Sequence, residues 1–248
     1  MREVRAGEVL ASGLRRAVDP RVIGISMLTA IAGLALSHVL HLWMPRDSPD
    51  ALVRLVVVQV RTLFTLVPNA VGSAAALCVV IAREHEVAPT FRLALTRFPF
   101  VYVAQLFGSF AVGFGLACFI VPAFYIGVVT SLITPVALEE GVGPLAAWGR
   151  CRELIEGRGD AVTAVVLAAW TIMGLLIIAC LLPLALPRGF REMVRAIDDL
   201  TDPLVAVALV LARFGYGAIW AGVSGVLYVR LRERELPSEA EKIARVFA

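Results

Sequence analysis

Lysine is almost missing from this chain of 248 residues: of 23 basic residues only Lys242 is one. Charged residues of both signs make up 17% of the chain, fewer than the surface of a water-soluble domain needs. Cysteine is sparse, and Cys78, Cys118, Cys151 and Cys180 show no CxxC or other paired spacing. Without a zinc ribbon or disulfide framework they read as small hydrophobes. Histidine is rarer still. His38 and His41 stand three apart, but only Asp47 or Asp50 offers a third ligand, and a membrane interface beside Trp43 accounts for them equally well, so no metal or cofactor is expected. There is no HExxH, no P-loop and no recognisable motif pairing a nucleophile with a base, so no catalytic residue is assigned and the chain is read as a non-enzyme. No basic stripe interleaves with aromatics, which argues against a nucleic-acid partner.

What is present is apolar. Hydrophobic residues are 59% of the chain and the mean hydropathy is +0.84, so the fold class is all-α, a polytopic membrane helical bundle. About 20 apolar residues cross a hydrocarbon core of ~30 Å. The runs place six spans near 22–43, 61–82, 100–121, 123–138, 161–186 and 204–228, forming one integral membrane domain over 1–237, with a short polar tail at 238–248. The first run lacks a small-residue cleavage site, so it is a retained helix. Residues 100–138 are too long for one span and must fold back, most simply at Pro122; the fourth span is short and carries Pro135.

The arginines orient this bundle. With both termini in the cytoplasm of a bacterial cell, sixteen basic residues fall on the inner side and six on the outer, with Arg213 inside the sixth run. This predicts a multi-pass inner-membrane protein. Each cytoplasmic segment also has an amphipathic pattern. In the first, Val9, Leu10, Leu14, Ala17 and Val18 oppose Glu8, Ser12, Arg15 and Arg16; the second aligns Phe91, Leu95 and Phe98, and the third Leu145, Trp148, Cys151 and Ile155. The pattern of interfacial helix, span, span suggests three units at 1–82, 83–138 and 139–228. The outer connector near 189–200 is amphipathic too.

Residues 121–157 carry a signature: Val121-Pro122, a short span, Pro135-Val136, Glu139-Glu140-Gly141, then Pro144, Ala147, Arg150, Leu154 and Gly157. It resembles the bacterial membrane-domain family that includes the membrane portion of some glycerophosphoryl diester phosphodiesterases and the YciC-like uncharacterised membrane proteins. Ala123 departs from that pattern where glycine is usual, and Cys151 where serine is usual. The resemblance implies a six-helix module, mostly without assigned activity. Phosphodiesterase catalysis in that family belongs to a separate soluble barrel, which has no counterpart in this chain.

Two groups of candidate site residues follow. Glu139, Glu140, Gly141, Pro144, Ala147, Arg150, Leu154 and Gly157 form a cytoplasmic interaction motif, in which the carboxylates favour the dipole of a helix starting near Pro144 or clamp it through Arg150. Arg213 is expensive at its depth, and Arg54 and Arg61, seven apart on one helical face, are placed to share an outer vestibule with it, as an anion or lipid-phosphate site. The bland alternative is that Arg213 snorkels outward or pairs with Asp198, Asp199 or Asp202. Small residues at Gly217, Ala221 and Gly225, and at Gly72 and Ala76, serve helix packing. The expected function is a non-catalytic module that binds membrane lipids or a membrane or cytoplasmic protein. A small-solute transporter or channel is the alternative, disfavoured because polar residues in the spans (Gln105, Ser109, Thr130, Ser131, Thr171, Ser224) look too few for a continuous path.

Overall fold

A computed structural model describes residues 5–43, 51–82, 87–118, 120–189, 192–193, 196–197 and 202–233, and all regular structure among them is helical. The main helices are α1 (Ala6–Ala17), α2 (Pro20–Trp43), α3 (Ala51–Ala82), α4 (Val87–Cys118), α5 (Ile120–Thr130), α6 (Ile133–Glu140), α7 (Pro144–Ile155), α8 (Gly159–Arg188) and α9 (Pro203–Arg232). Six segments are long and apolar enough to cross a membrane, with α5 and α6 together making the fourth. This is a multi-pass membrane protein. A helix satisfies its own backbone polar groups, which is what a segment without water around it requires.

Local chemistry sets the helix starts. Asp202 caps α9, its Oδ1 accepting from Leu204 N at 2.8 Å and Val205 N at 3.4 Å, with Pro203 at the first helical position where no N–H is missed. Asp19 receives the Arg21 N–H at 2.9 Å just where α1 gives way to α2.

The chain folds back between α4 and α5. Gly108 of α4 faces Thr130 of α5, whose Cβ lies 3.5 Å from where a Gly108 Cβ would be. Pro122 sits in the first turn of α5 instead of forming the bend, because its missing N–H has no partner there to lose. Pro135 has the larger effect. It cannot donate to the Ser131 carbonyl, and the fourth crossing breaks at Ser131 and Leu132 into two short helices.

The expected second interfacial helix is not separate. Residues 91–98 belong to α4, which continues through Pro99, so the three-unit pattern holds only for the first and third units. Proline is tolerated within membrane helices, where neighbours and local adjustment compensate the lost hydrogen bond.

α3, α6 and α9 finish at the same end of the bundle at which α4 and α8 begin. Gly225 meets Leu77 and Val80, Arg232 reaches Glu139, and the Arg97 guanidinium lies over Gly141. α1 and α7 cap this end. α1 does more than rest on a lipid surface: Val9, Gly13 and Ala17 are buried, while Val18 is exposed. A Cβ on Gly13 would lie 2.8 Å from Val223 Cα, and one on Gly222 would meet the Gly13 carbonyl and Ala17 N. Only glycine at both positions lets the two backbones come this close.

Candidate functional site

The motif over 139–157 forms a connected polar seal at the α1/α7 end. Gly141 ends α6 with φ +64°, Pro144 opens α7, and Gly157 follows α7 with φ +72°; these left-handed conformations suit glycine. Ala147, Cys151 and Leu154 turn inward and are buried. Both carboxylates end α6 instead of beginning α7, the unfavourable end of a helix dipole, and cations gather around them. Arg150 Nε donates to Glu140 Oε1 at 3.2 Å and its Nη1 to Glu153 Oε2 at 3.1 Å. Tyr228 OH donates to Glu140 Oε1 at 3.4 Å, and Arg232 Nη1 to Glu139 Oε2 at 3.3 Å. Arg232 also lies 6.0 Å from the Tyr228 ring centre, and Phe107 meets Trp148 edge-on at 6.0 Å. Burial, and then the charge of Glu140, push the Cys151 thiol up to about 12 from an ordinary 9.0, so the sulfur is an inert, protonated packing group.

The second feature is a cavity of about 650 Å³ inside the bundle. Every spanning helix contributes one face to it. α2 gives Ser26 and Thr29, α3 gives Asn69 and Ser73, α4 gives Gln105 and Ser109, and the broken crossing gives Thr130 and Thr134. α8 contributes Trp170, and α9 contributes Arg213, Tyr216 and Trp220. Many of these polar groups are already engaged. Gln105 Nε2 donates to Ser73 Oγ at 2.6 Å, and the Thr29 and Thr130 hydroxyls each donate to carbonyls one turn back in their own helices. Trp170 closes one side, resting where a Cβ on Gly127 would lie 2.5 Å from its Cη2 and meeting Phe124 edge-on at 5.8 Å. Its small-residue partner, Gly127, is in α5.

Of the three expected arginines, Arg213 is on the cavity wall. Arg61 is buried, with 7% exposure, but does not line the cavity, and the side chain of Arg54 lies outside the described residues. Asp198 and Asp199 also lie outside them, and Asp202 serves as the α9 cap. Sequence reasoning missed Ser26, Thr29, Asn69, Ser73, Thr134, Tyr216 and Gly127 as cavity residues. The signal was periodicity: Leu66, Asn69 and Ser73, or Leu209, Arg213, Tyr216 and Trp220, recur every three or four residues on one helical face. No group of three or more metal-ligating side chains occurs among the described residues. The chain matches no family model, no curated protein and no solved structure.

Proposed function

We propose that this is a non-catalytic, multi-pass bacterial inner-membrane protein, both termini cytoplasmic, that binds a membrane lipid inside its helix bundle. The supporting observation is the cavity: all six crossings line one mostly apolar space, and five of them bring hydroxyl, amide or guanidinium groups to it. A mostly apolar concavity with a few convergent polar groups is the usual form of a small-molecule site. The motif at the α1/α7 end is less suited to docking a protein partner, because Glu139, Glu140 and Arg150 are engaged with one another's helices and with α9. Orientation rests on the arginine excess of sixteen to six. Kinship with the phosphodiesterase membrane-domain family rests on the motif over 121–157.

The test is purification in mild detergent followed by intact-complex mass spectrometry. A retained lipid that survives detergent exchange is the expected result. Lipid-free protein, showing no adduct after lipid is added back, overturns the reading.

A transporter for small solutes is the second reading, favoured by the broken helix α5/α6 beside the cavity, since discontinuous helices mark many transport sites. Solute flux into liposomes, with no lipid adduct, would select it.

A further inference from the structure

Building on lipid binding in the cavity, we propose that the ligand is an anionic amphiphile: one apolar chain ending in a phosphate or carboxylate, with the head held by Arg213 and Asn69 and the chain directed away from the α1/α7 end.

Charge comes first. Among the described residues Arg213 is the charged side chain on the wall, the wall bears no Asp or Glu, and no ion pair forms to this guanidinium. A cation in a low-dielectric space attracts an anion strongly, since little water competes for it. Its surroundings assist. Arg213 Nη1 and Asn69 Oδ1 each lie 3.7 Å from the point where Gly33 would carry a Cβ, so guanidinium and amide face α2 at the same spot. An amide in that place can turn its NH₂ to the same anion. The neighbouring Gln105, Ser73, Thr29 and Thr130 each donate a hydrogen bond elsewhere, so beside Arg213 it is the Asn69 amide that is placed to donate to the same head group.

The cavity is also layered, and chain direction shows how. α3 and α9 run toward the α1/α7 end, so Leu66 and Leu209 lie one turn farther from it than Asn69 and Arg213. α4 and α8 run the other way, so Val112, Ile177 and Leu181 lie beyond Gln105 and Trp170. The polar floor thus faces the α1/α7 end, and an apolar shaft rises from it. A free inorganic anion has no use for that shaft, and a neutral lipid has none for an unpaired guanidinium. The volume of about 650 Å³ suits one acyl chain with a small head, not two chains.

The full chain in neutral detergent is titrated with lysophosphatidic acid, with monoacylglycerol of the same chain and with inorganic phosphate, and binding is read by intact-complex mass spectrometry. Lysophosphatidic acid should bind at least about tenfold tighter than either other probe, because a hydrogen bond to a charged group is worth roughly 1.5–3 kcal/mol. Arg213→Gln should erase that preference, Arg213→Lys should keep most of it, and Asn69→Ala should weaken it about threefold. Thermal melting verifies that each variant is folded, and Asn69→Ala carries the test should Arg213→Gln not fold. Equal binding of lysophosphatidic acid by wild type and Arg213→Gln overturns the proposal while leaving lipid binding intact, as does equal binding of the two amphiphiles by wild type. Inorganic phosphate binding as tightly as lysophosphatidic acid overturns it in favour of a free anion. Wild type that takes up neither amphiphile removes lipid binding itself.

Discussion

The α1/α7 end and the interior cavity use arginine in opposite ways. At the end, Arg150 and Arg232 meet Glu140, Glu153 and Glu139 within 3.1–3.3 Å, each pair tying one helix to another or to itself. In the cavity Arg213 faces an amide, hydroxyls and aromatic rings, with no carboxylate on the wall. The first arrangement is closed: its charges are used up in holding α6, α7 and α9 together. In the second, a charge whose solvation is costly to remove has been placed where the fold does not neutralise it. Equal residue types thus carry structure in one place and recognition, on our reading, in the other.

Several substitutions would break or sharpen this contrast. The largest effect belongs to the packing beneath the closed end. Gly222→Leu would drive a side chain into the backbone of α1, and a stability loss of about 3 kcal/mol or more is expected in detergent unfolding. Glu140→Ala comes next. It strands Arg150 and Tyr228, whose shared acceptor is only 22% exposed, and should cost about 1–2 kcal/mol; exchanging the charges in a Glu140→Arg, Arg150→Glu double variant should recover part of the loss. Full stability of Glu140→Ala would mean that this end is held by packing alone.

Cys151 gives a pH signature for the same region. Its thiol ionises near 9.0 when unfolded and near 12 when folded, so the unfolded state loses its proton first. That contribution is complete below about pH 9 and is lost as pH rises toward 12. Wild type should therefore lose stability more steeply than Cys151→Ala above pH 9, and matching slopes would contradict the burial. The smallest effect belongs to Arg5 and Glu8, 3.7 Å apart but 77% and 71% exposed. Glu8→Ala should change the unfolding midpoint by less than about 0.5 kcal/mol.

Much of the fold was legible because a membrane segment declares itself through length and apolarity. The six spanning segments, the hairpin in residues 100–138 and the amphipathic α1 and α7 are all visible as letter patterns. The fine geometry was not. Pro122 and Pro135 look equally disruptive in sequence, yet only Pro135 follows enough helix for its absent N–H to matter, and the break therefore falls at Ser131. The partnership of Glu140 and Arg150, ten residues apart, was readable from charge and spacing, whereas Tyr228 and Arg232 come from the far end of the chain and carry no local sign of meeting it. The cavity was hidden for another reason. Its polar residues are few in any one helix, and they add up only when each is placed on its face and the faces are turned together.

The glycine contact between α1 and α9 also bears on how the chain assembles. Gly13 is made well before its seat at Gly222, so α1 has no docking place on α9 until α9 has been inserted. Until then its buried stripe of Val9, Gly13 and Ala17 has nowhere to go but the membrane surface. Closing this joint therefore waits for α9, and a chain cut short before α9 would leave α1 without this seat.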